Sequence, residues 1–392
     1  MGEITITAAD AGRRLDKFLL AYLNNASRSF IYKLLRKKRI KLNGKRAEGG
    51  ELLRDGDIIE FFLSRETLEN CRKTQDIGSQ KNGPTQKAAD LAVSQPLPHG
   101  ETLRPTTGGT VPHGSQPIGS APAFTMPEII FEDEHLLIIN KPAGMPSHGG
   151  MKGKDAHLLA RVLYYLRETG AYPVGATFTP ALCNRLDVNT SGLVICGKNY
   201  QAIRAVNELF ANVENVSKYE QTQFNPTMTI TCVEKEYLAV VDGELHGEAT
   251  LYGQYHKDTA TNTARVTMDV AGSTAHAAAD THASDTTVSS PTPQVITAYK
   301  SLAVAKGRSL LSVSPITGRS HQIRAHLAAI GHPLSGDKKY GGKPTPYATA
   351  QLLHCMRITL AQPILSYPTG ITWTAPASES FKKCMAELFN MM

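Results

Sequence analysis

The stretch "CNRLDVNTSGLVICGK", residues 183–198, places a polar segment directly before a run of apolar residues. Asp187 belongs to no helical pattern, and the Thr-Ser-Gly that follows it predicts a loop leading into a buried strand. Loops that a rigid strand holds in place often carry catalytic side chains. A lone Asp there more often forms a turn or caps a helix. Asp187 is therefore a candidate for chemistry only if other parts of the chain support it.

The same Arg-Leu-Asp triplet also occurs near the start of the chain, at residues 14–16. In "RRLDKFLLAYLNN", residues 13–25, apolar side chains recur at helical spacing, and Asp16 falls on the polar side of that helix. We therefore expect Asp16 to be a solvated helix charge.

A basic second helix is predicted over "RSFIYKLLRKKRI", residues 28–40, with Ser27 or Ser29 as its N-cap. One side is apolar, and the other carries cations that repel one another unless an anion lies against them. Such a run can be merely solvated. We favour binding to RNA phosphates, which releases counterions. The RNA-binding candidates are Arg28, Lys33, Arg36, Lys37 and Arg39.

Short strands and tight turns are predicted after this helix. "IKLNGKRA", residues 40–47, contains an Asn-Gly turn, and "LLRDGDIIEFF", residues 52–62, contains a second turn and a strand. This order of elements resembles the ribosomal-protein-S-four-like RNA-binding fold. Residues 1–64 are therefore expected to form a small N-terminal α/β RNA-binding domain.

Charge and composition limit the possible classes of protein. The chain has 392 residues, 41% of them hydrophobic and 20% charged, which is typical of a soluble protein with two or three domains. Its net charge is +7, and residues 1–64 hold 13 Lys and Arg against 8 Asp and Glu. The six cysteines form no C-x-x-C pair, and no signal peptide or membrane span is evident. We expect a cytoplasmic protein that binds a polyanion and has no zinc cage. We also expect a monomer, because no uninterrupted apolar seam remains unassigned.

Composition also divides the rest of the chain. Residues 65–125 are rich in Gly, Pro, Ser, Thr and Gln, and they predict a disordered linker. Strand-like segments dominate residues 126–392, with polar inserts expected near 212–232 and 272–293. Three helices are predicted between these strands, over residues 156–170, 201–213 and 319–331.

Four segments carry a specific resemblance when taken in order. They are "HLLIINKPAGMPSH" (135–148), "NRLDVNTSGLV" (184–194), "KEYLAVVDG" (235–243) and "GRSHQIRAHLAAIGHPLSGDKKYGG" (318–342). As a set they resemble the RluA-type family of pseudouridine synthases, of which members acting on large-subunit ribosomal RNA commonly carry an S-four-like domain. The resemblance implies an α+β catalytic domain over residues 126–392, built on a central mixed, mostly antiparallel β-sheet flanked by helices and loops. It also implies isomerisation of uridine to pseudouridine in RNA, without cofactor or metal.

The family motifs imply roles for particular residues. Asp187 would be the catalytic carboxylate, with Arg324 as its salt-bridge partner and Tyr237 stacking on the target base. Arg185, Arg319 and Leu353 would contact the substrate, although Leu352 is an alternative to Leu353. Taken alone, Tyr237 could be a core residue, and "RSHQIRAH" could be an amphipathic helix with exposed cations.

Other positions in the motifs receive no catalytic role. Lys141, Pro142 and Gly144 are expected to form a turn at the pocket rim, and His321 to hydrogen-bond to backbone. Asn184 stands where many members have His, and it keeps a polar side chain able to pair with backbone.

Two routes remain open for the carboxylate. It could attack the sugar or ring carbon to give a covalent adduct, or remove a sugar proton to give a glycal. Either route needs an ionised Asp187, so a cation must oppose its desolvation. The alternative function is a non-catalytic ribosome-assembly factor or RNA chaperone.

Overall fold

A computed structural model describes residues 2–72, 127–149, 157–173, 176–219, 232–269 and 294–391, with the backbone alone for residues 212–219. The insert expected near 272–293 lies outside these ranges. Within them, no helix has the length and apolar character needed to cross a bilayer.

Residues 2–72 form four strands and three helices. The elements are β1 (Gly2–Thr5), α1 (Leu15–Tyr22), α2 (Arg28–Arg36), β2 (Ile40–Leu42), β3 (Lys45–Arg46), β4 (Ile58–Phe61) and α3 (Arg65–Asn70). The strands form an antiparallel sheet in the order β1-β4-β2-β3. Asn43 and Gly44, between β2 and β3, both have positive φ, as a tight hairpin turn requires.

The apolar sides of α1 and α2 face a shared core. Their buried side chains pack with those of the sheet, among them Phe18, Leu19, Ile31, Leu35 and Phe61. Ser27 caps α2 by accepting a hydrogen bond from the Phe30 amide. The periodicity of the sequence therefore predicted both helices and their buried faces.

Asp16 is not the solvated helix charge that its position on α1 suggested. It is 1% exposed, and its carboxylate accepts hydrogen bonds from the Tyr32 hydroxyl at 2.7 Å and from two Arg14 nitrogens at 3.1 Å. Tyr32 lies on α2, which packs across α1, and the loop at Gly49 lies against the Cβ of Asp16. A single-helix pattern cannot anticipate cover from a second helix.

The linker expected from residue 65 does not begin there. Arg65–Asn70 form α3, and the Ser64 hydroxyl caps it by accepting a hydrogen bond from the Thr67 amide at 3.2 Å. Leu68 packs against the N-terminal core, which anchors this turn of helix. Residues 73–125 of the expected linker lie outside the described residues.

The second part of the chain is built on an eleven-stranded sheet with four helices. Its elements are β5 (Glu128–Glu132), β6 (Leu136–Lys141), α4 (Leu158–Glu168), β7 (Ala181–Leu182), β8 (Ser191–Gly197), α5 (Tyr200–Tyr219), β9 (Val233–Asp242), β10 (Glu248–Asp258), β11 (Thr263–Met268), β12 (Gln294–Ala305), β13 (Arg308–Pro315), α6 (Gln322–Ala329), β14 (Leu353–Leu360), β15 (Ile371–Thr374) and α7 (Glu379–Phe389). A 3₁₀ turn spans Lys338–Tyr340.

The sheet is mixed and mostly antiparallel, as expected, and the fold class is α+β. The main path runs β11-β10-β12-β13-β9-β14-β8-β6-β5, and β15 and β7 pair with β14 and β8. Only the β8–β14 pair is parallel among the described strands. The three predicted helices correspond to α4, α5 and α6. Helix α5 continues to Tyr219, so residues 212–219 are helical rather than an insert, and 220–231 lie outside the described residues.

Gly192 allows the parallel pair to form next to the Asp187 loop. Its φ is 112°, and a Cβ at this position would lie 2.2 Å from the Cys355 carbonyl oxygen on β14. Only glycine fits that approach. The glycine of Thr-Ser-Gly therefore brings β14 against the strand that follows Asp187.

Residues 2–72 contact the second part of the chain through the loop before α1. The Ala9 carbonyl accepts a hydrogen bond from the Tyr200 amide at 3.1 Å, and Arg13 Nη1 donates to the Thr177 carbonyl at 2.9 Å. The Asp10 carboxylate accepts hydrogen bonds from Arg13 and from the Thr177 hydroxyl. These contacts join the two domains directly.

Candidate active site

The loop that carries Asp187 is held by the turn after β6. The Gly144 amide donates to the Val188 carbonyl at 2.9 Å, and the Ser147 hydroxyl donates to the Leu186 carbonyl at 2.8 Å. These bonds fix the backbone on both sides of Asp187, whose side chain remains 25% exposed. The carboxylate is thus rigidly placed and still accessible.

Asn184, at the start of this loop, pairs with the backbone of β8. Its amide nitrogen donates to the Leu193 carbonyl at 3.2 Å, and its oxygen accepts from the Ile195 amide at 2.8 Å. The pairing expected from the sequence is therefore present.

Arg324 connects Asp187 to a second carboxylate. Its Nη1 donates to Asp187 Oδ2 at 2.9 Å, and its Nε and Nη2 donate to the two oxygens of Asp337 at 2.7 and 2.8 Å. Burial alone would lower the pKa of Arg324, but its hydrogen bonds and ion pairs with Asp337 and Asp187 raise it above the usual value. The guanidinium is therefore a permanent cation beside Asp187. Sequence reasoning missed Asp337, although it lies in the quoted "SGDKKYGG" segment.

Two polar side chains, Arg324 and His321, lie at the same oxygen of Asp187. Arg324 donates to Oδ2, and His321 Nε2 lies 3.8 Å from the same atom. The Asp187 side chain is 25% exposed, which leaves room for a substrate to approach it.

Tyr237 on β9 lies near Asp187 and is 8% exposed. Burial raises its pKa well above the usual value, with further contributions from the neighbouring Cys355 and from the Asp187 charge. The phenol is therefore neutral. Its ring belongs to the same apolar cluster as Leu186 and Leu353.

Leu352 and Leu353, the two alternatives for the apolar contact with the substrate, lie in different apolar clusters. Leu353 packs in the cluster that contains Tyr237. Leu352 packs instead with Phe381 of α7, in a separate cluster. Leu353 is therefore the one on the Tyr237 side of the sheet.

The two remaining substrate-binding candidates lie at the edge of the site. Arg185 is exposed, two positions before Asp187, and Arg319 is half-buried just before α6. Both Arg319 and Asp187 influence the pKa of Tyr255, which burial raises. Tyr255 therefore lies within electrostatic reach of both residues.

The sequence suggested that His321 hydrogen-bonds to backbone, but its ring contacts two other side chains instead. Its Nδ1 is 2.9 Å from the Tyr340 hydroxyl, and its Nε2 faces Asp187. Its φ of 57° is left-handed, which is uncommon outside glycine. This backbone turn at the start of α6 carries the imidazole to the carboxylate, and a turn of that kind leaves no periodic signal in a sequence.

Lys141 is a buried cation rather than part of a pocket rim. It is 0% exposed, and its ammonium donates to the carbonyls of Pro142, Met145 and Val188 at 2.8–3.0 Å. Burial lowers its pKa to about 7, and the Asp187 charge opposes that shift. The lysine ties the turn after β6 to the Asp187 loop. Lys141 directly follows the apolar residues of β6, and this position in the sequence could have indicated its burial.

The basic surface of the N-terminal domain has the exposure that phosphate binding requires. The five predicted cations, Arg28, Lys33, Arg36, Lys37 and Arg39, are all exposed. An open cleft of about 570 Å³ adjoins them, lined in part by Arg28, Tyr32, Arg36 and Arg46. Arg46, which sequence reasoning did not select, extends the surface to β3. In the described parts of the chain, no group of three or more His, Cys, Asp or Glu side chains could hold a metal ion.

Two family models match the chain. Residues 135–329 match RNA pseudouridylate synthase, and residues 13–59 match the S4 domain. The first match contains Asp187, Tyr237, His321 and Arg324. The second contains the basic helix α2.

Individual proteins are similar over most of the chain. Ribosomal large subunit pseudouridine synthase C of Vibrio vulnificus (strain CMCP6) is 26% identical over 385 residues, covering 96% of this chain and 93% of the relative. The protein of the same name from Yersinia pestis is 27% identical over 339 residues, covering 86% and 79%. The solved structure of human RNA pseudouridylate synthase domain containing 1 has a TM-score of 0.43 and 20% identity, covering 66% of this chain and 87% of that one.

Proposed function

This chain belongs to the RNA pseudouridylate synthase family and carries an S4 domain, and from that premise we propose that it isomerises uridine in large-subunit ribosomal RNA. In this reaction the bond between uracil N1 and sugar C1′ breaks, the base rotates, and C5 bonds to the same C1′. C5 loses its hydrogen as a proton and N1 gains a proton, so the reaction is balanced without an oxidant or reductant.

We assign the catalytic carboxylate to Asp187, and the observation that carries this assignment is its pairing with Arg324. A carboxylate in a pocket that a base closes would lose its charge by desolvation. Arg324, anchored by Asp337, supplies the opposing cation at 2.9 Å. Since Arg324 occupies Oδ2, Oδ1 is left to react with the sugar or the base.

Tyr237 and Leu353 form the walls for the target base in this proposal. Turning a base out of the RNA stack costs a few kcal/mol, and stacking on an aromatic ring offsets part of that cost. Arg185 and Arg319 lie at the edge of the site, where phosphates or the pairing edge of the base would pass.

Two features support ribosomal RNA of the large subunit as the target. Two relatives whose names include the ribosomal large subunit align with 96% and 99% of this chain, so the alignments include the N-terminal domain. The exposed cations of α2 provide phosphate contacts outside the catalytic domain.

Release of tritium from RNA labelled at uracil C5 tests this proposal. Wild-type protein should release tritium from large-subunit ribosomal RNA of its host, and Asp187→Asn should release at least about a thousandfold less while binding the RNA with similar affinity. Release by Asp187→Asn at the wild-type rate would remove Asp187 from the reaction. Absence of release by the wild type would favour an assembly factor or chaperone that only binds RNA.

Deuterium at the sugar C2′ separates the two routes open to Asp187. Removal of the C2′ proton should slow when deuterium replaces it, whereas direct attack by the carboxylate leaves that bond intact.

A further inference from the structure

His321 bridges a tyrosine hydroxyl and the Asp187 carboxylate. Its ring is 11% exposed, with Nδ1 at 2.9 Å from the Tyr340 hydroxyl and Nε2 at 3.8 Å from Asp187 Oδ2. Two neighbouring residues hold Tyr340 in place. The Arg324 guanidinium lies 4.9 Å from the centre of the Tyr340 ring, and Asp337 caps the 3₁₀ turn that ends in Tyr340.

The hydrogen bonds of the Tyr340 hydroxyl determine the position of the imidazole proton. The Ala264 amide donates to this hydroxyl at 2.8 Å, so one of its lone pairs is occupied. Its single proton needs an acceptor, and His321 Nδ1 is the acceptor that the described residues offer. If Tyr340 donates to Nδ1, the proton of the neutral imidazole is on Nε2, which faces Asp187.

The opposite tautomer is unfavourable at both ends of the ring. It would direct the Nε2 lone pair toward the Asp187 carboxylate, and it would leave the Tyr340 proton without an acceptor among the described residues. That hydroxyl is partly buried, and a donor that loses its protein partner there loses free energy. Burial also lowers the pKa of His321, which keeps the ring neutral at neutral pH.

We propose that His321 is a positioning residue for Asp187, held by Tyr340 in the tautomer that directs Nε2–H at Oδ2. The proposal rests on the proposed function, in which Asp187 reacts. Arg324 and His321 then both direct their protons at Oδ2, so the carboxylate cannot rotate without losing two partners. Oδ1 stays oriented toward the substrate.

The present distance of 3.8 Å is longer than a hydrogen bond. Contacts of this kind tighten when a substrate fills the site. Closure of the pocket by an everted base would remove the water that competes for Oδ2. His321 therefore has its main effect on the bound complex, which predicts an effect on kcat rather than on KM.

Substitutions of His321 by Gln and by Asn distinguish the roles of its two ring nitrogens. The side-chain amide of Gln reaches the place of Nε2, and that of Asn reaches the place of Nδ1. We expect His321→Gln to keep kcat for tritium release within about fivefold of wild type, and His321→Asn to lower it about 100-fold with KM within about twofold. Full activity of His321→Asn, or equal loss of kcat in both variants, would overturn the proposal.

Tyr340→Phe tests whether Tyr340 acts through the imidazole. It should lower kcat several-fold in the wild-type background and have no further effect in the His321→Gln background, because Gln does not need the hydroxyl. Additive losses in the double variant would contradict the link between Tyr340 and His321. Thermal unfolding of all variants identifies any that fail to fold.

The tautomer itself is measurable without activity. In protein labelled with ¹⁵N-histidine, the His321 signals, identified by their loss in His321→Gln, should show a proton on Nε2 and none on Nδ1. A proton on Nδ1 would overturn the proposal even if Asp187 proves catalytic. Conversely, a wild type that releases no tritium contradicts the proposed function. The ¹⁵N measurement would still show which nitrogen of His321 carries the proton.

Discussion

Asp337 accepts two hydrogen bonds from Arg324, at 2.7 and 2.8 Å, and both side chains are buried. This fork leaves one guanidinium nitrogen, Nη1, to meet Asp187. The position of the cation beside Asp187 is therefore set by Asp337, which does not touch Asp187 itself.

The fork geometry makes Arg324 irreplaceable by lysine. A lysine has one ammonium group, which cannot hold Asp337 at two points and also reach Asp187. We expect Arg324→Lys to lower kcat for tritium release by about 100- to 1000-fold. The matched control is Arg357→Lys, because Arg357 pairs with Glu236 at the surface and should tolerate the change. Equal activity of the two variants would show that charge alone suffices.

Lys141 should make the stability of the protein depend on pH above neutrality. Its pKa of about 7 lies below that of an unfolded lysine, about 10.4, so between these values the unfolded chain binds more protons. The free energy of unfolding should therefore rise with pH from about 7 to 10 through this group. Urea unfolding of wild type and Lys141→Met at several pH values measures it. The difference in unfolding free energy between them should grow with pH in favour of wild type, and a constant difference would contradict the lowered pKa.

The cations of α2 should control RNA affinity but not the chemical step. Replacing Arg36 and Lys37 with Gln should weaken RNA binding and reduce the slope of log K against log salt by about 0.7–0.9 per lost phosphate contact. The rate at saturating RNA should stay near that of wild type. Lys382→Gln, which removes an exposed cation of α7, serves as the control. A changed rate at saturation would mean that the N-terminal domain helps to form the catalytic site.

Asp16→Asn should destabilise the N-terminal domain without affecting the reaction at saturating RNA. The hydrogen bonds from Tyr32 and Arg14 outweigh burial and lower the pKa of Asp16. The stability that this group contributes is present above its unfolded pKa of about 3.9 and is lost as pH falls through its lowered folded value. Hydrogen bonds to a charged group contribute about 1.5–3 kcal/mol, so the variant should unfold at lower urea concentration at pH 7. Wild-type stability of Asp16→Asn would show that the buried contacts contribute little.

Local patterns predicted the elements of this protein better than they predicted its contacts. Apolar periodicity located α1, α2 and α4 to α6, and the four ordered motifs identified the family that the matches over residues 135–329 and 13–59 confirm. The same patterns misplaced Asp16, because its cover comes from a tyrosine on the next helix. They missed Asp337 and the contact of His321 with Tyr340, since these depend on how distant segments meet.

The parallel β8–β14 pair has a consequence for biosynthesis. Ser191 and His354, which hydrogen-bond across this pair at 2.9 Å, are 163 residues apart, and Asp187 and Arg324 are separated by 137. At roughly 5–20 residues translated per second, the aspartate is synthesised about 7–27 s before its arginine. Such distant pairings also close slowly because of their loop entropy. A nascent chain therefore carries the Asp187 carboxylate without its counterion until Arg324 has been added, and the parallel pair beside it forms only after β14 has been synthesised.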